Sequence, residues 1–216
     1  MKILVIAAHP DDEVLGCGAT IAKHVKEGDQ VYICIVSEGA SAQYDDPEMI
    51  EVRKKAAQNA AKTMGVKDVF FHGLPDTKLD NVPSLEINKI LEKHIREIKP
   101  EIVYTHAKED NHIDHSIIFS STKVAVRPIK CGFIKKVLAY EVLGSTTNEF
   151  IPNYFVDVEN FFDVKKKAFE FYKSEMGDFP HPRSFKALET LAKYRGINSA
   201  FKKAEAFKLI YQRCNK

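Results

Sequence analysis

Two short segments concentrate the groups that could do chemistry. One is His9-Pro10-Asp11-Asp12-Glu13 and the other is His112-Ile113-Asp114-His115. Imidazoles and carboxylates are the nitrogen and oxygen donors of catalytic zinc, which takes three protein ligands and leaves one position for water. One His and one Asp from the first segment and one His from the second would complete such a set. The neighbouring Asp, pointing another way, would be free to act as a base. A plainer reading exists for each segment alone. Pro-Asp-Asp is a turn signal, Asp is a favoured helix N-cap, and a single His is usually a satisfied polar group. Two such clusters at corresponding places in the fold favour the metal reading.

Those places follow from the elements around them. Ile3 to Ala8 is a continuous apolar run, the mark of a strand buried on both faces. Gly16 to Lys26 reads as a helix and Val31 to Val36 as a second buried strand. Pro47 to Met64 reads as a helix that turns Arg53, Lys54 and Lys55 outward and Ala56, Ala57, Ala60 and Ala61 inward, with Gly65 as its C-cap. Val69 to Phe71 is a third strand, Ser84 caps a helix with Ile87, Leu91 and Ile95 at helical spacing, and Ile102 to Tyr104 is a fourth strand. Ile113 to Val126 is helical, and strands follow at Lys136 to Val142 and Tyr154 to Val158. This alternation predicts an α/β fold: a Rossmann-like, mostly parallel sheet with helices on both faces and a helix-rich C-terminal tail. The expected organisation is one domain over residues 1–216, with the sheet core in 1–158 and the helical tail in 159–216. In an open parallel sheet, ligands bind beyond the carboxyl ends of the strands. Both His/Asp segments follow such ends.

The sequence from Ala8 to Glu13 (AHPDDE), with the downstream His112-Ile113-Asp114-His115, resembles the LmbE/PIG-L family of zinc-dependent de-N-acetylases. Glu51 to Leu74, Pro75-Asp76 and Arg127-Pro128 are also similar to the family pattern, so the resemblance covers most of residues 1–145 and weakens in the tail. It implies His9, Asp12 and His115 as zinc ligands and Asp11 as general base. It implies that His112 stabilises the oxyanion or donates a proton, oriented by Asp114, and that Arg53 and Asp76 lie near the sugar. Relatives act on N-acetylglucosamine joined to an inositol lipid, inositol, malate or another sugar, and many are trimers or hexamers. The implied activity is therefore removal of acetate from an N-acetylated amino sugar by a cytoplasmic homo-oligomer. Zinc suits this chemistry because it lowers the pKa of water toward about 7. Iron(II) can occupy a similar site. The proton for the leaving amine could come from Asp11 or His112. Two alternatives stand: an amidase for a bulkier amide such as a thiol conjugate, and a non-catalytic sugar- or nucleotide-binding module. No G-x-G-x-x-G follows the first strand, which weighs against the last.

Composition narrows the partners. The net charge of +2 is too balanced for a dedicated nucleic-acid binder. No apolar run approaches the roughly 20 residues that span a membrane. The basic stretch from Lys123 to Lys136 suggests a cavity rim that attracts a phosphate or carboxylate on the substrate. The four cysteines are widely spaced and indicate a reduced compartment. Cys17 lies beside the first cluster, where a small residue between Gly16 and Gly18 would let the helix pack closely. His72 and His106 end strands and could approach the pocket. His24 and His94 are expected on solvated helix faces, and His181 sits in the stiff stretch Gly177 to Pro182, which could close over substrate.

Overall fold

Alternate residues of the first strand face two separate cores. In this computed structural model, which describes residues 1–214, β1 (Lys2–Ala7) turns Ile3, Val5 and Ala7 into one apolar cluster and Leu4 and Ile6 into another. The further strands are β2 (Gln30–Ser37), β3 (Asp68–Leu74), β4 (Ile102–His106), β5 (Lys136–Tyr140), β6 (Tyr154–Asp157) and β7 (Ala204–Gln212). They form one sheet in the order β3-β2-β1-β4-β5-β7-β6. The pairings among β1 to β5 are parallel, and β7 runs antiparallel between β5 and β6. The helices are α1 (Asp12–Lys26), α2 (Glu48–Met64), α3 (Ser84–Ile98), α4 (Ile113–Ala125), α5 (Phe162–Phe169) and α6 (Phe185–Ile197). The expected α/β architecture is present, with helix residues in both cores. Gly65 caps α2 with φ 77°, a left-handed conformation that glycine adopts without strain.

β1 is followed in the sheet by β2 on one side and β4 on the other. The chain therefore changes direction of winding between β1 and β4, and that crevice is where a doubly wound sheet binds ligands. The His9 and His112 segments open onto it from either side.

The tail carries helices α5 and α6, in keeping with a helix-rich expectation, but it does not stay outside the sheet. Its last segment, with the helix formers Ala204, Glu205 and Ala206, is a nine-residue strand inside the sheet rather than part of a helix. Tertiary pairing overrides propensity here. The strand also carries a buried charge to α1. That helix kinks at Cys17 (φ −147°, ψ 23°). Glu205 accepts hydrogen bonds from the amides of Ala19 (3.2 Å) and Thr20 (2.7 Å) just past the kink. Lys165 of α5 donates to the Leu15 carbonyl before it (2.8 Å) and pairs with Glu205 at 2.6 Å. One ion pair thus satisfies backbone groups on both sides of the kink, and both side chains are buried. Gly16 is needed at the same place, because a Cβ there would land in the Tyr140 ring. Cys17 is buried, its thiol pushed well above the ordinary range by desolvation, so it packs rather than reacts.

Removing one member of a buried pair leaves the other uncompensated. Glu205→Ala is therefore expected to lower stability by about 3–5 kcal/mol in urea titration. Glu205→Ala combined with Lys165→Met should recover a large part of the loss. Equal loss in the single and double variants would show that the pair does not carry the kink.

Candidate metal centre and active site

The loop after β1 is folded by its own polar groups. The Asp12 carboxylate accepts from the His9 amide at 2.9 Å, and the Glu13 carboxylate accepts from the Asp11 amide at 3.1 Å. Asp11 is held at φ 120°, which non-glycine residues rarely adopt and which stores strain. The result is that Asp11 and Asp12, adjacent in sequence, are both fully buried in the crevice.

Asp12 is the centre of the arrangement. Its Oδ2 lies 3.3 Å from His9 Nδ1, from His106 Nε2 and from His115 Nε2, and its Oδ1 is buried without a hydrogen-bond partner. Burial alone would raise its pKa, but the neighbouring imidazoles, His115 foremost, outweigh that and hold the carboxyl well below its usual range. His9 and His115 each carry a carboxylate on the ring nitrogen that faces away from Asp12. His9 Nε2 donates to Asp114 Oδ2 at 3.0 Å, and His115 Nδ1 lies 3.2 Å from Asp110 Oδ1. Burial lowers both imidazoles, yet the surrounding carboxylates raise His9 to about 10 and His115 to about 9. An imidazole fixed by a carboxylate behind it is the usual arrangement of a metal-ligating His.

Three groupings of potential ligand atoms occur here: His9, His112 and His115; Asp12, His106 and His115; and His9, Asp76 and Asp114. His106 is a poor ligand, because its Nε2 already accepts from the Ala8 amide at 2.9 Å. Its ring stacks on His115 at 3.9 Å between centroids, and burial lowers its pKa to about 4. Asp114 is also engaged, accepting from the amides of Thr77 (2.9 Å) and Leu79 (3.1 Å) as well as from His9. Asp12, whose Oδ1 has no partner, and His9 Nδ1 and His115 Nε2, each 3.3 Å from its Oδ2, offer the mixed oxygen and nitrogen donors that a zinc-type ion takes.

The other expected site residues are placed as follows. His112 caps α4, its Nδ1 accepting from the Asp114 amide at 3.2 Å, and its ring stacks on His115 at 4.6 Å. Burial, then His9 and His115, lower its pKa. Asp114, expected to orient His112, spends its side chain on His9 and reaches His112 through its backbone amide. Asp76 is buried, with Oδ1 3.3 Å from His9 Nε2. Arg53 does not face outward with Lys54 and Lys55. It is 2% exposed and donates to the carbonyls of Pro10 (2.6 Å) and Gly39, with Asp11 Oδ2 at 3.5 Å.

Several residues were not foreseen. Arg183, just after the Gly177 to Pro182 stretch, brings its guanidinium 3.4 Å from Asp11 Oδ2, and the buried Glu175 pairs with both arginines. The only early hint was the nearby His181, which is itself exposed. Asp110 lay in the loop after β4 but outside the tetrapeptide. Other expectations fail. Lys135 and Lys136 sit at the amino ends of β4 and β5, paired with Glu101 and Tyr154, so the basic stretch does not rim this crevice. His24 is bonded to Asp29 and Tyr104, and His94 is buried against Phe70, so neither is a solvated helix residue. His72 faces His94 rather than the crevice.

A doubly wound sheet with imidazoles and carboxylates gathered at its switch point defines an α/β protein with a candidate metal centre. The model of the PIG-L family, described as GlcNAc-PI de-N-acetylase, matches residues 4–126. This chain belongs to that family. It is 32% identical over 181 residues to an uncharacterized deacetylase, YaiS, of Escherichia coli K12, covering 80% of this chain and 90% of the relative. Among solved structures, it is similar to the N,N'-diacetylchitobiose deacetylase of Pyrococcus horikoshii, with a TM-score of 0.81, 25% identity, and coverage of 97% of this chain and 83% of the other. It also shares its fold with a 4-carboxy-2-hydroxymuconate hydratase of Pseudomonas putida (TM-score 0.80, 21% identity, covering 100% and 98%). That likeness concerns the fold alone, and function must be argued from the site.

If Asp110 and Asp114 orient the ligands, Asp110→Asn and Asp114→Asn will each weaken metal affinity roughly 10–100-fold with the ligands intact. Competition against a chromophoric chelator measures this. Unchanged affinity in both variants would remove the two carboxylates from the centre.

Proposed function

We propose that this chain hydrolyses the N-acetyl amide of an N-acetylglucosamine-type sugar or conjugate, releasing acetate and a free amine, with one zinc ion held by His9, Asp12 and His115. The observation that carries this reading is Asp11. Its carboxylate is buried beside the donor set, and neither oxygen has a hydrogen-bond partner. Bound zinc would supply Lewis acidity, which polarises a carbonyl and acidifies water.

The remaining work falls to the chain. Asp11 accepts the proton of the attacking water. Desolvation raises its carboxyl and the charges of Arg183 and Arg53 oppose the rise, leaving it at about 6. A group poised there can take a proton near neutrality and return it. As the C–N bond breaks, the same proton passes from Asp11 to the leaving nitrogen. His112 is suited to a different task. Its Nδ1 is taken by the Asp114 amide, so a neutral ring carries its proton on Nε2 and donates a hydrogen bond to the developing oxyanion. Arg53 is read as a positioning residue for the loop from Pro10 to Asp11, its guanidinium being spent on backbone carbonyls and carboxylates. Asp76, at the crevice wall, is assigned to the sugar.

A second reading, an amidase for a bulkier acyl group, draws on one feature. An apolar groove of about 560 Å³ lies between Leu143, Phe179, Pro180, Pro182, Leu191 and Tyr194. It borders the crevice through Pro182, next to Arg183, and through Gly144, next to Ser145, whose hydroxyl lies 3.1 Å from His115 Nδ1. Faster hydrolysis of long N-acyl than of N-acetyl glucosamine derivatives would favour it.

Asp11→Asn should retain the crevice metal but release primary amine from N-acetylglucosamine derivatives about 10²–10⁴-fold more slowly. A metal-loaded Asn variant with near wild-type turnover would contradict the assignment.

A further inference from the structure

Away from the crevice, on the α3 face of the sheet, three more ligand side chains meet. Cys34 of β2 is the register partner of Phe70 on β3, and His72 lies two residues beyond Phe70, on the same face of the strand. α3 turns His94 onto that face. Its ring stacks on Phe70 at 4.3 Å between centroids, and its Nε2 stands 2.8 Å from His72 Nε2. One ligand atom each from Cys34, His72 and His94 lie within 4.8 Å of one another. A hydrogen bond between the two imidazoles uses one proton and one lone pair. It leaves two groups unexplained: the Cys34 thiol and the buried His94 Nδ1, which has no partner.

We propose that Cys34, His72 and His94 form a second metal site, distinct from the crevice, that takes a thiophilic ion of the zinc(II) or copper(I) class. Thiolate and imidazole together select such ions over magnesium or calcium. Burial lowers the pKa of both histidines, His72 to about 4, which keeps them in the neutral form that ligates. Burial also pushes the Cys34 thiol up to about 12, so the thiolate forms only as the ion arrives. Coordination releases the S–H proton to solvent, and the proton shared between the two Nε2 atoms moves to a Nδ1. With zinc bonds of about 2.0 Å to nitrogen and 2.3 Å to sulfur, tetrahedral ligand atoms stand roughly 3.3–3.6 Å apart, so the two imidazoles need open by only about half an ångström. His72 is partly exposed and Cys34 lies beneath, which gives the ion an entry path and leaves a fourth position for water. The bound ion would tie β3 to α3 four residues before Asp76.

Cobalt(II) titration followed by absorption tests this, because the crevice offers no sulfur ligand. The expected result is two cobalt ions per chain, with a near-ultraviolet thiolate-to-cobalt band accompanying one of them. Cys34→Ser and His72→Gln should each abolish the band and one equivalent, while Cys131→Ser keeps both. Should Cys34→Ser fail to fold, His72→Gln at the partly exposed strand position carries the test. A single equivalent without the band, or a band that survives Cys34→Ser, would overturn the proposal. Loss of the crevice equivalent alone leaves the band in place, so the two sites are judged separately.

Discussion

The rest of the structure is organised around the buried charge of Asp12. One carboxylate meets three imidazoles and one backbone amide, at the first turn of a helix whose dipole favours negative charge there. Asp76, Asp110 and Asp114 stand behind those imidazoles. Such a concentration of buried carboxylate is tolerable only if positive charge joins it. His9 and His115 supply that charge by holding protons, and a divalent cation would supply it by taking their place. The electrostatic demand and the proposed cofactor are thus two views of one arrangement.

Holding that charge requires a firm scaffold, and the scaffold spans the whole chain. Asp11 is kept in a strained conformation by Glu13 below it and by the two arginines beside it. Arg53 comes from α2, while Arg183 comes from the segment just before α6, joined to it through Glu175. α1, which begins at Asp12, is bent at Cys17 beside Gly16, which packs against the ring of Tyr140, whose hydroxyl donates to the Ile6 carbonyl at 2.9 Å. The backbone groups beside that bend are satisfied by Lys165 and Glu205 from the tail. The C-terminal third of the chain therefore supports the first loop.

The ligand and base candidates were legible in the sequence because they sit in two short contiguous motifs at strand ends, and apolar runs located those ends. What was not legible depends on long-range pairing. Arg183 and Glu175 are single charged residues that a sequence reading assigns to solvent, and only folding brings them to Asp11. Arg53 has the helical spacing of an exposed residue, yet the Gly39 and Pro10 carbonyls draw it inward. The strand from Ala204 to Gln212 is rich in helix formers and is recognisable only by the sheet edges it bridges. The basic stretch misled because linear charge density says nothing about which end of a strand the charges occupy. The pairing of His72 with His94 joins two elements that share no motif.

The central claim concerns where the cation sits, and anomalous scattering from crystals grown with zinc tests it most directly. The account predicts a peak bonded to His9 Nδ1, Asp12 and His115 Nε2 at about 2.0–2.2 Å, with Asp11 close by and unbonded. A peak on His9, Asp76 and Asp114 instead, or none in the crevice at full zinc loading, would contradict it.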